Sequence, residues 1–144
     1  MSTLVRRMPW GVVGFVSLGA FGCQSPTKSP APPTGGANFV LDYASFESAV
    51  APVLANYGCN SMQCHGGGIR GTYELSPPDV PNLAFDFEQS RLQVNPYDPT
   101  ESPLLTMPLD RDAGGFPHEW EPFETPDAEG YQTILAWILA GEFE

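Results

Sequence analysis

The chain has 144 residues, 42% of them hydrophobic, and a formal net charge of −11. That is a one-domain length, with material for one small core. Nucleic acid is excluded as a partner, because phosphate binding needs positive charge and the chain has 17 acidic residues against 6 basic ones.

The segment MSTLVRR is a short basic head, and an uncharged apolar run continues from it to Cys23. That run is shorter than the roughly 20 apolar residues that span a bilayer, as in a signal peptide. The motif LGAFGC resembles a bacterial lipobox, with Ala20 where leucine is usual. The resemblance implies cleavage before Cys23 and lipid on its thiol; ordinary secretion with a free Cys23 is the alternative. QSPTKSPAPPTGGA follows, too rich in Pro, Ser, Thr and Gly to bury a core, and reads as a tether. The expected organisation is therefore 1–22 lipoprotein signal peptide, 23–38 tether, and 39–144 folded domain, held at the bacterial envelope and facing the periplasm or the cell surface. Gln24 is not the aspartate that commonly retains bacterial lipoproteins at the inner membrane, so the same resemblance favours the outer one. Arg6 and Arg7 precede Cys23 while every acid follows it, and Glu119 to Glu144 holds acids but no Lys or Arg. Such a surface ordinarily serves solubility, and it allows a basic protein partner.

SFESAVAPVLANYG predicts the first helix, with Ser45 as N-cap and Phe46, Val50, Val53, Leu54 and Tyr57 on one apolar face. Pro52 should kink or split it, and Gly58 should end it. The stretch from Gly66 to Leu105 is dense in Gly, Pro, Asn and Asp and reads as loop, with one short helix in NLAFDFEQSRLQ. The closing helix is the clearest: Thr125 as N-cap, Pro126 at the first helical position, a buried stripe of Tyr131, Ile134, Leu135 and Ile138 broadened by Trp137 and Leu139, and Gly141 as the stop. The fold class is mainly α, with long irregular connections.

Chemistry concentrates in YGCNSMQCHGGG, where Cys59 and Cys64 stand in the order C-x-x-x-x-C-H with His65. A c-type haem site is ordinarily C-x-x-C-H. A thiol outside the cytoplasm is usually engaged covalently, so Cys59 and Cys64 form either a disulfide or a haem attachment. In the second case His65 meets the iron from one face, and Asn60 to Gln63 bulge outward so that Cys59 reaches the second vinyl group. The three glycines after His65 would let the backbone pass close to the haem edge. Asp110 and Asp112 lie near glycines but lack the later ligands of an EF-hand, and read as a solvated turn.

Taken together, the motifs resemble the small single-haem cytochrome c-like domains of bacterial secreted and surface proteins. Phe46, Val50, Pro52 and Leu54 match the F-x-x-x-V-x-P-x-L helix that precedes their haem motif; VNPYDPTESPLL is similar to their V-x-P-G-x-P-x-x-S-x-L stretch, with Tyr97 in place of the glycine. GGFPHEW stands where they carry a later histidine, although His118 is followed by Glu119 and Trp120 rather than by two glycines, and Trp137, Ile138 and Gly141 match their closing W-I-x-x-G. The resemblance covers about Phe39 to Gly141. It implies a cytochrome c-like fold, N- and C-terminal helices packed around one haem c, attached at Cys59 and Cys64 and ligated by His65. The second axial ligand is Met107 or His118, with Met107 preferred because Met-Pro is often seen at the distal ligand of small cytochromes c; His118 would then hydrogen-bond a haem propionate or backbone. The function implied is single-electron transfer to a redox partner protein, without bond chemistry on a substrate. A haem peroxidase would need an open iron position and a catalytic base. The rival is a haem-free envelope lipoprotein with a Cys59–Cys64 disulfide and a structural or partner-binding role.

Overall fold

The computed structural model describes residues 38–68 and 71–144. The signal peptide, Cys23 and all but the last residue of the tether lie outside the described residues. The domain is mainly helical. Its ends are tied by a two-stranded antiparallel ribbon, β1 (Phe39–Val40) against β2 (Glu142–Phe143), which pairs Phe39 with Phe143 and Val40 with Glu142. No described helix is long and apolar enough to cross a membrane.

The first helix, α1, is one run of three stretches: Tyr43–Ser45, a π-helical stretch Phe46–Val50, and Ala51–Asn56. Its N-cap is Asp42 rather than the expected Ser45, because the Asp42 carboxylate accepts the Ser45 N–H at 2.7 Å, three residues ahead. Hydrogen bonding to Ser45 holds the Asp42 carboxyl below its usual range. Pro52 stands in the first turn of the third stretch, so the run changes its winding just before it, although the chain stays helical throughout. A proline removes one donor and crowds the carbonyl four residues back; the π stretch, whose cap Ala51 N–H reaches back to the Phe46 carbonyl, widens the turn just before it. Phe46, Val50 and Leu54 are buried as expected, with Val53 and Tyr57 packed beside them.

Helix α2 (Leu83–Arg91) is the expected short helix, capped by the Asn82 side chain, but the face it buries is polar. A buried carboxylate needs partners. Asp86 accepts the Ser76 N–H at 2.6 Å and the Ser76 hydroxyl at 2.7 Å, and Ser76 Oγ in turn accepts the Asn82 N–H at 2.8 Å. This knot fixes the irregular segment that runs past the site. Helix α3 is a single turn, Pro103–Thr106.

The closing helix α4 runs Glu129–Leu139, starting later than Thr125 and Pro126 predict. Thr125 spends its hydroxyl on the Asp127 N–H, and its carbonyl accepts from Ala128, so a separate turn precedes the helix and Ala128 becomes the cap. Tyr131, Ile134, Trp137 and Ile138 are buried and Leu135 partly so, whereas Leu139 is 64% exposed and does not broaden the stripe. Trp137 sets its ring 5.5 Å from that of Phe46, and its indole N–H donates to the Asp42 carbonyl at 3.0 Å. The first and last helices are thereby locked together, and the core they share is completed by Leu75, Leu104, Leu105, Leu109 and Phe123.

Candidate functional site

Gly58, at φ +73°, turns the chain out of α1 and into the cysteine loop. The long spacer is taken up by two turns in tandem: Ser61 N–H to the Gly58 carbonyl (3.1 Å), then Cys64 N–H to the Ser61 carbonyl (3.0 Å). A 2.9 Å bond from the His65 N–H to the Cys59 carbonyl closes the neck. Cys59 and Cys64 are both free thiols. Burial, and secondarily the neighbouring Cys64, pushes the Cys59 thiol up to about 11. Gly66 and Gly67 have a role within the chain itself. A side chain on Gly66 would overlap the Asn60 carbonyl, and one on Gly67 would overlap that of Met62, so their missing Cβ atoms let the spacer fold back over them.

His65 is oriented by the segment opposite. Leu75 donates its N–H to the His65 carbonyl at 2.9 Å, and His65 Nδ1 lies 2.9 Å from the Tyr73 carbonyl. A carbonyl only accepts, so Nδ1 carries the proton and, in the neutral ring, Nε2 carries the lone pair. That is the support usual for a metal-ligating histidine. Tyr73 is fixed from the other side by its hydroxyl, 2.9 Å from Ser90 Oγ on α2, and burial drives its phenol well above the usual tyrosine range.

His118 is delivered by the loop between α3 and Phe123. Asp110 N–H donates to the Phe123 carbonyl and Phe123 N–H to the Pro108 carbonyl, so the loop's ends meet. Asp110 caps the Asp112 N–H at 2.8 Å, and Gly115 and Phe116 donate back to Asp110 and Thr106, which makes the acidic pair a turn as expected. His118 Nδ1 lies 2.7 Å from the Trp120 carbonyl, so it too carries its proton on Nδ1; the Trp120 N–H, 3.4 Å from the same nitrogen, does not compete. The Trp120 indole N–H donates to the Tyr57 carbonyl at 3.0 Å, joining this loop to the end of α1. Glu121 accepts from the His118 N–H and from Arg111, and both bonds hold its carboxyl below the usual range.

These three segments enclose a cleft of about 320 Å³, within the range of about 300–1,000 Å³ occupied by small-molecule and cofactor sites. Leu54, Leu104, Phe123 and Ile134 make its apolar lining, and Cys59, Cys64, His65, Met107, His118 and Trp120 all border it. The imidazoles of His65 and His118 are 15° from parallel with centroids 6.0 Å apart. Nowhere among the described residues do three or more His, Cys, Asp or Glu side chains gather around a metal position. The cleft thus brings two imidazoles and two thiols to apolar walls, as donors for a group that would be held by a few protein ligands. Met107 is 41% exposed.

Each site residue expected from the sequence reaches this cleft, apart from Cys23, which lies outside the described residues. Sequence reasoning missed Tyr73, Ser90, Arg111, Trp120 and Glu121. The only local signal was an aromatic residue two positions after His118. No family model, curated protein or solved structure matches the chain.

Proposed function

We propose that the chain is a monohaem c-type cytochrome of cytochrome c-like fold, an electron carrier tethered to the bacterial envelope by lipid on Cys23. The observation that carries this reading is the convergence of Cys59, Cys64, His65 and His118 on one apolar cleft, with the two imidazoles 6.0 Å apart. Haem, when bound, supplies the one-electron chemistry. Cys59 and Cys64 would hold it through thioether bonds to its two vinyl groups, an addition of S–H across each double bond that is redox-neutral. His65 is the proximal ligand. His118 would be the distal one: its Nδ1–H is committed to the Trp120 carbonyl, which leaves Nε2 for a metal, and its ring lies 6.0 Å from that of His65 on the same cleft. Met107 is a wall residue of the cleft. With two protein ligands the haem would have no open position for a substrate, and the buried Leu54, Leu104, Phe123 and Ile134 would give it an apolar floor.

The test is expression in a host able to attach haem c, followed by acid extraction and intact-mass measurement. Haem that stays on the chain supports the reading. A haem-free chain lighter by two hydrogens, with the bond mapped to Cys59 and Cys64 by peptide digestion, overturns the cytochrome reading in favour of the disulfide-bonded alternative.

A further inference from the structure

The peptide of His118 is gripped at both of its polar groups. Glu121 Oε1 accepts the His118 N–H at 3.1 Å and Arg111 Nε at 2.8 Å, while the Arg111 guanidinium reaches the His118 carbonyl at 3.4 Å. An exposed ion pair by itself contributes little. Here the Glu121 side chain is only 18% exposed, and one of its bonds is charge-assisted to backbone. His118 lies between Pro117 and Glu119 in a stretch without regular structure, so no helix or strand ladder holds its place. A metal–nitrogen bond of about 2 Å tolerates little drift of the peptide that carries the ring.

From this geometry we infer that Glu121, clasped by Arg111, is the positioning residue that keeps His118 at axial distance from a metal held opposite His65. The inference rests on the haem reading above. Its consequence is that the strength of distal ligation is set by a side chain that touches neither cofactor nor metal. Removing the carboxylate frees the His118 peptide, and the distal bond opens more often. An added ligand then competes for the vacated position. Glu121→Gln retains an acceptor for the His118 N–H and loses only the charge.

The experiment is titration of the full-length holoprotein with free imidazole, following the ferric spectrum well below the unfolding temperature. In Glu121→Ala, imidazole should replace His118 at about tenfold lower concentration, the loss of one charged hydrogen bond. Glu121→Gln should shift it less, and Arg91→Ala, whose 2.6 Å partner is Glu88 on α2, should not shift it. A purely structural Glu121 would lower the unfolding midpoint and leave the titration unmoved. The second readout needs no haem: in the apoprotein, Glu121→Ala should sharpen the His118 ring proton resonances toward those of a freely turning imidazole. If the protein carries no haem, the cytochrome reading fails and this second readout alone decides the clasp. Unchanged imidazole titration in haem-loaded Glu121→Ala overturns the inference, as do unchanged His118 resonances in a haem-free chain.

Discussion

Gly66→Ala should disable the cysteine loop. The new Cβ would overlap the Asn60 carbonyl and press on Pro77, all backbone atoms that no rotamer change can move aside. For it to fit, the spacer must lift away from residues 65–67. Two bonds then loosen: His65 N–H to the Cys59 carbonyl (2.9 Å) and Gly66 N–H to the Ser61 carbonyl (3.0 Å). At a net 0.5–1.5 kcal/mol each, the loop loses about 1–3 kcal/mol, or roughly 5- to 150-fold in its equilibrium population. The contrast is Gly58→Ala, where φ is +73° and nothing lies within 4 Å of the added Cβ. That change costs about 1–2 kcal/mol of left-handed strain but leaves Asn60 in place. Urea unfolding and haem content per chain should be measured for both. Both variants should be less stable, and only Gly66→Ala should also lose most of its covalent haem. If Gly66→Ala loads haem as fully as the parent, the account of the spacer as tandem turns folded over the glycines is wrong.

His118→Ala should convert the ferric spectrum from low to high spin, while Met107→Ala should leave it low spin; a far-red charge-transfer band that disappears in Met107→Ala would reverse that assignment. A protein with two histidine ligands should also have a lower potential than one with His and Met, which redox titration checks. Phe46→Ala empties a fully buried site against Phe87 and Trp137 and should lower stability by about 3–5 kcal/mol in denaturant unfolding, with no change of ligation if any fold survives. The Asp42 cap titrates below the usual carboxylate range, so its contribution is fully present above that range and is lost as pH falls through the depressed value. Asp42→Asn should keep a capping oxygen and lose that acid dependence of the unfolding midpoint; an unchanged acid limb would show that Asp42 does not contribute to it.

Some of this protein was legible in the residues themselves. The buried faces of α1 and α4 follow from apolar spacing, a signal contained within one helix. The adjacency of Cys64 and His65, the other cysteine at Cys59, and the short list of candidate partners for His65 are also local, since the chain holds only two histidines and, of its two Met-Pro pairs, Met8-Pro9 falls in the expected signal peptide and leaves Met107-Pro108. The errors at the helix starts have one cause. Ser45 and Thr125 are both good caps by type, and the choice went to whichever neighbour left the better geometry, Asp42 in one case and a preceding turn in the other. Tertiary structure alone decided the rest. The facing of His65 and His118 depends on loops closed by backbone bonds, such as Leu75 to His65 and Asp110 to Phe123, and such bonds leave no mark in side-chain pattern. The same holds for the Tyr73 and Trp120 carbonyls that set the two imidazoles, because every residue has a carbonyl and only the fold determines which ones reach the site. The order of cysteines and histidine is written in the sequence; the backbone bonds that close residues 108–123 into a loop decide that His118 lies 6.0 Å from His65.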